Sequence, residues 1–326
     1  MKDTEYLTLS AWIRTQENRL LTRERRDRMV ECTDEEWIKL FTECGYPEPA
    51  EPTIPAVNDA LSKARAATFG EIKKMSPQKE IVEVLQIRYD YHNAKVMLKA
   101  ASLGEDPRRL LAPGGRYPVE TLPEDFGRGK SDLWSGAFTQ AVARARTALE
   151  ETQDPQKCDL ILDRACYAEM AEAAEKSGSS FLKGYVTLSV DAVNLRSAVR
   201  CARMGLDSEL LEEALLPGGS VAPKDILKGE PLGKLFSRTA LAEAGQLGEE
   251  KSAPGAGTLS EFERACDNAL NGYLASAKRI PFGEQPVVGY LCARESEATA
   301  IRTILSGRKA GLSPEAIRER LRESYV

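Results

Sequence analysis

Apolar residues along this chain recur mostly three and four positions apart, and no clear alternating run interrupts them. With β-branched clusters also sparse, that period predicts helices throughout, an all-α protein. The punctuation agrees. Thr33-Asp34-Glu35-Glu36 has the form of a capping box ahead of WIKLF, and Gly45 closes that helix. Ser76-Pro77 offers an N-cap and a first-turn proline to a helix expected to run to about Ser102. Its apolar residues surround it, so it should be central and touched from several sides. Asp154-Pro155 starts another helix, and Thr258-x-x-Glu261 reads as a second capping box. Ser313-Pro314-Glu315 opens the last helix, expected to run to Val326. Pro47 to Pro55 and Gly245 to Gly257 read as surface loops.

One helical pattern occurs three times: YDYHNAKVMLKAASLG, VDAVNLRSAVRCARMG and SEATAIRTILSGRKAG. Each copy carries an acid (Asp90, Asp191, Glu297). Three residues on stand Asn93, Asn194 and Ala300. Five residues on stands a base (Lys95, Arg196, Arg302), and fourteen on a glycine (Gly104, Gly205, Gly311). The acid, amide, base and glycine of the second copy all stand 101 residues beyond those of the first; the acid, base and glycine of the third stand 106 further on. A constant offset over several positions marks an internal repeat, the signature of a scaffold. Pro113-Gly114-Gly115 and Pro217-Gly218-Gly219 follow the first two copies at nearly the same distance, whereas the third copy lacks this turn because the chain ends there. These breaks divide the chain into three helical modules, 1–118, 119–222 and 223–326, in a pseudo-threefold arrangement.

Composition narrows the function. A formal charge of −5 argues against a broad nucleic-acid footprint. No stretch approaches the ~18 unbroken apolar residues of a membrane span, and the charged N-terminal stretch does not read as a signal peptide. Seven cysteines without a C-x-x-C, and a single histidine, fit reduced thiols in a cytosolic protein and speak against zinc.

No catalytic, cofactor or metal residue is predicted. Gly129-Lys130-Ser131 imitates the end of a phosphate loop, but Glu124 stands where that motif needs glycine; Ser131 is expected to cap the next helix instead. His92 has Val193 and Thr299 as counterparts and reads as a packed or partly buried side chain. The arginines between 19 and 28, interleaved with acids, read as a solvated helix face. The repeated acid and amide share a helix face, being about 300° apart, whereas the base lies about 140° from the acid. They are either three equivalent contact points for a partner or a polar clamp that locks each helix to its neighbours. The segment IPFGEQP pins a turn between helices and offers Phe282 and Glu284, an exposed-looking aromatic and an acid, as a partner-contact tip.

The run IPFGEQPVVGYLCARESEATAIRTILSGRKAGLSPEAIRERLRESYV resembles the C-terminus of the C subunit of V/A-type rotary ATPases, the family of the eukaryotic V-ATPase d subunit. Tyr290, Ala293, Glu295, Glu297, Ile301, Arg302, Leu321 and Tyr325 fit that pattern. Asp90-Tyr91-His92-Asn93-x-Lys95, Leu162-Asp163-Arg164-Ala165 and the segment from Tyr6 through Leu21 resemble the family too. Gln285 departs from it, standing where the family usually has glutamate before Pro286, and Ala300 departs from the Asn93 and Asn194 of the first two copies. The resemblance implies a non-catalytic, funnel-shaped rotor subunit. It would join the D and F subunits of the central stalk to the membrane rotor ring and transmit torque for proton or sodium transport. It would lie on the cytoplasmic, inner face of the membrane within a larger complex, with no span of its own. Lys95, Arg196 and Arg302 would then help define the inner wall of the funnel. A free-standing helical adaptor for soluble partners fits the repeat as well.

Overall fold

The computed structural model describes residues 3–326, and these are helical with no strand among them. Three hairpins of long helices organise the chain: α4 (Ile54–Met75) with α5 (Lys79–Leu103), α8 (Pro155–Ser177) with α9 (Ser180–Met204), and α14 (Ser260–Ala275) with α15 (Glu284–Lys309). Shorter helices lie around them. Before the first hairpin come α1 (Leu7–Glu17), α2 (Arg23–Glu31) and α3 (Asp34–Glu43); between the first and second, α6 (Leu122–Arg128) and α7 (Gly136–Thr152). α10 (Ser208–Ala214), α11 (Pro223–Leu227), α12 (Leu232–Leu235) and α13 (Ala242–Lys251) separate the second from the third, and α16 (Pro314–Arg318) follows.

The repeat pattern sits on α5, α9 and α15, the second helix of each hairpin. α5 buries residues on every side, from Ile81 and Val82 to Leu98 and Ala100, as its all-round apolar pattern requires. Gly104 and Gly205 end α5 and α9 in the left-handed region that glycine adopts without strain. Thr33 caps α3 through the Glu36 amide, and Asp154 caps α8 with Pro155 in the first turn.

The apolar core has three parts. The largest runs from Tyr6 through α5, α7 and α8 to Leu291. A second joins residues 21–64 to Ala298, Ile301, Ile304, Leu305 and Ile317. A third lies between α9, α13 and α14.

Several expectations need correction. Ser76 does not cap α5: it is the C-cap of α4, and Gln78 stands at the N-cap of α5 without a side-chain bond. Residues 242–251 form α13 rather than a loop, because Gly245 and Gly248 let it approach Phe236 on one side and Val199 and Phe262 on the other. Thr258 does not cap α14, whose N-cap position is Leu259 without a side-chain bond. Ser135, not Ser131, caps α7; Ser131 accepts from the Leu133 amide in the preceding turn. The last helix stops at Arg318, and residues 321–326 form no regular element. His92 is exposed and Phe282 half-buried, so the aromatic of the 280–286 turn is partly covered.

Candidate functional site

The acids repeated on α5, α9 and α15 are among the most buried polar groups of the chain: Asp90 and Asp191 are each 1% exposed and Glu297 7%. A buried carboxylate needs partners, and all three find them in a segment arriving from outside the hairpin. Asp90 accepts from the amides of Arg116 (2.8 Å) and Tyr117 (3.3 Å) and from the Arg116 Nε (2.6 Å). Asp191 accepts from the Val221 amide (3.1 Å) and the Ser220 hydroxyl (2.5 Å). These segments follow the two Pro-Gly-Gly turns and lie as straps across their helices. The second glycine of each turn is required by that closeness. A Cβ on Gly115 would strike the Asp90 carboxylate, and one on Gly219 that of Asp191.

The repeated amides fasten the same straps. Asn93 donates to the Ala112 carbonyl (3.0 Å) and accepts from its amide (2.7 Å). Asn194 does the same with Leu216, at 2.8 and 2.7 Å.

In the third hairpin the partner comes from the other end of the sequence. Glu297 accepts from the Leu21 amide, from the Tyr46 hydroxyl at 2.6 Å and from Arg294 at 2.6 Å. Burial raises the Glu297 pKa above the ordinary glutamate value against the opposing pull of Arg294. The segment after α15 does not turn back to Glu297. It runs along α14, where Arg264 donates to the Glu319 carbonyl, Arg322 pairs with Asp267 at 2.7 Å, and Asn268 accepts from the Glu323 amide. Ala300 therefore has no strap to hold.

The repeated bases point to the next hairpin. Lys95 on α5 pairs with Asp163 on α8 at 2.6 Å. Arg196 on α9 pairs with Glu263 and Asp267 on α14, both at 2.6 Å. Arg302 on α15 donates from Nε to the Asn58 side chain on α4 at 2.8 Å, so that the last hairpin is tied to the first. Glu284 accepts from the hydroxyl of Ser179, the N-cap of α9, at 3.0 Å, and Phe282 is half-buried.

A further set of positions, whose recurrence the sequence reading did not include, completes the pattern. Arg65 donates to the Pro113 carbonyl (2.9 Å), Arg164 to the carbonyls of Glu212, Glu213 and Leu215, and Arg264 to that of Glu319. Each arginine sits on the first helix of its hairpin and holds the segment leaving the second. The signal was present as Arg65-Ala66-Ala67, Arg164-Ala165-Cys166 and Arg264-Ala265-Cys266, spaced 99 and 100 residues apart. Arg116 also reaches Glu169 on α8 at 2.8 Å, and Glu169 accepts from Tyr91 and Ser135. Burial works to raise the Glu169 pKa, but Arg116 and these hydroxyls together hold it below the usual value.

Such fastenings define a scaffold of repeated helical hairpins: its charged groups are spent on one another and on backbone. Among the described residues there is no group of side chains placed to hold a metal ion, and no helix long and apolar enough to cross a membrane. The chain belongs to the family of the ATP synthase (C/AC39) subunit, which it matches over residues 9–320. It is similar to the V-type ATP synthase C subunit of Thermus thermophilus, with 26% identity over 97% of this chain and 98% of the relative. The V-type sodium ATPase C subunit of Enterococcus hirae is 25% identical over 81% of each chain. The A-type ATP synthase C subunit of Methanocaldococcus jannaschii is 25% identical over 97% of this chain and 86% of that one.

Proposed function

We propose that this chain is the non-catalytic rotor component that couples the central stalk, made of the D and F subunits, to the membrane ring of a V/A-type ATPase. It transmits torque between ATP turnover and proton or sodium movement, at the inner face of the membrane. Its modules 1–118, 119–222 and 223–326 form a pseudo-threefold funnel, and Leu21 completes the third module's clamp. One observation supports this reading above the rest. The base-to-neighbour contact recurs from α5 to α8, from α9 to α14 and from α15 back to α4. A closed sequence of braces resists shear in every rotational direction, as a torque-bearing coupler must, and its close-packed helices add stiffness. Lys95, Arg196 and Arg302 are braces in this reading, and the partner surfaces lie elsewhere, the turn at Phe282 and Glu284 among them.

The test is reconstitution of the ATPase with and without the chain. Without it, ATP hydrolysis by the head should persist while ion transport into vesicles stops, and adding the chain back should restore transport. A triple variant Lys95→Gln, Arg196→Gln, Arg302→Gln should retain helicity and bind the stalk pair but couple poorly. Transport that proceeds unchanged without the chain, or a chain that purifies only with soluble partners, would overturn the proposal.

A further inference from the structure

Two of the three hairpins hold a strap in the groove between their helices. On α5, Gln86 donates to the carbonyls of Gly114 and Gly115 at 3.0 and 3.1 Å, Asp90 takes the amides of residues 116 and 117, and Asn93 holds Ala112. By the offsets of the repeat, positions 86, 90 and 93 correspond to 293, 297 and 300 on α15. There stand Ala293, Glu297 and Ala300. Both amide grips have become methyl groups, and the remaining acid is engaged by Leu21 and Tyr46.

The third groove is correspondingly open. It is a cavity of about 480 Å³ whose walls include Ala293, Ser296, Ala300 and Thr303 of α15 and Ser260 of α14, with residues 320–326 along one side. That is within the size of sites that enclose a ligand, roughly 300–1,000 Å³. Arg26 of α2 also lines it. Its Nη1 donates to the Arg322 carbonyl at 2.6 Å, and its buried Nε has no partner. Of the arginines that line this cavity, Arg322 is paired with Asp267, whereas Arg26 and Arg320 make no ion pair among the described residues, and only Arg26 has a buried N–H without a partner; the lining acids Glu263 and Glu297 are already paired with Arg196 and Arg294. A buried guanidinium N–H without an acceptor is costly, and a carboxylate is the acceptor whose charge and geometry suit it.

We propose that the groove of α14 and α15 takes an extended segment of a partner protein, lying where the chain's own straps lie in the other hairpins and presenting a carboxylate to Arg26. The floor of methyl and hydroxyl groups admits side chains but grips no backbone. The visiting strap is therefore held chiefly by its acid and by apolar burial, and is detachable, unlike the two covalent ones. This rests on the equivalence of the three hairpins and stands apart from the rotor reading.

The experiment uses the full chain and a fluorescent peptide, Leu-Ala-Pro-Gly-Gly-Glu-Tyr, which is the strap at 111–117 with glutamate in place of Arg116. Anisotropy should show saturable binding. It should be about tenfold weaker for the same peptide with lysine in place of glutamate, and about tenfold weaker for Arg26→Gln and for Ala300→Trp. Melting followed by circular dichroism verifies that each variant is folded, with Thr303→Trp as the second groove-filling variant if Ala300→Trp is not. No binding, equal affinity for the two peptides, or unchanged affinity in a folded groove-filled variant would overturn the proposal. Displacement by inorganic phosphate as readily as by unlabelled peptide would assign the groove to a small anion and overturn it too.

Discussion

Replacing Asn194 by alanine should be among the most damaging single changes to a side chain that touches no charge. Its amide makes a closed pair of hydrogen bonds with Leu216, and both bonds are buried, Asn194 itself being 0% exposed. The substitution strands one buried N–H and one buried C=O. At about 1–3 kcal/mol for each unsatisfied group, the loss is roughly 2–6 kcal/mol. The same pair at Asn93 and Ala112 is only part-buried, so water can replace the lost bonds and the cost falls to about 1–2 kcal/mol. Ala300→Asn, which restores an amide opposite no strap, should gain nothing. Thermal unfolding measures the ranking, at a shift of about 1–2 °C for each kcal/mol in a chain of 326 residues. Hydrogen exchange at the Leu216 amide localises it. The reasoning fails if Asn93→Ala costs as much as Asn194→Ala, or if the Leu216 amide stays protected in the Asn194 variant.

Other consequences can be checked alongside. Burial, outweighing Arg116, raises Asp90 from 3.8 to about 6. Its contribution to stability is then fully present below the unfolded value and is lost as pH rises through the folded one. The stability of the wild type relative to Asp90→Asn should fall by roughly 3 kcal/mol across that window; a flat difference between acid and neutral pH would exclude it. Burial also pushes the thiols of Cys44, Cys166 and Cys266 up to about 12, whereas Cys32 alone among the seven cysteines is not buried. Iodoacetamide should alkylate Cys32 first in the native protein and all seven after urea; fast native labelling of Cys166 would contradict this. Gly219→Ala drives a methyl group into the Asp191 carboxylate and should cost about 1–3 kcal/mol, more than Gly272→Ala on α14, whose Cβ would meet open space on an ordinary helical backbone; comparable melting of the two would show that the strap yields.

The long helices were legible because periodicity, caps and stop signals coincide on them: α3, α5 and α8 begin or end at the residues that cap them. The constant offsets marked where the polar positions recur on α5, α9 and α15. They did not reveal the receivers, since a hydrogen-bond partner such as Leu21 for Glu297 is 276 positions away and leaves no periodic trace. Arg164 stands in a family-like segment, but its recurrence as Arg65 and Arg264 is hidden, because their spacing differs slightly from that of the long helices, loops of different length intervening. α13 differs from the loop its composition suggests for a simpler reason. Glycine weakens a helix in isolation, but here Gly245 and Gly248 are the contact face, so packing overrides propensity.

The joining of the first residues to the last has a consequence for biosynthesis. The apolar cluster built from residues 21–64 obtains its other half only from Ala298 to Ile317. At about 5–20 residues per second, a ribosome needs roughly 10–50 s to deliver that half. Throughout the interval Trp37, Phe41 and Leu61 wait in an unfinished nascent chain. Chaperone capture of the emerging N-terminal helices, and aggregation of truncated translation products, are the expected cost of closing the molecule last.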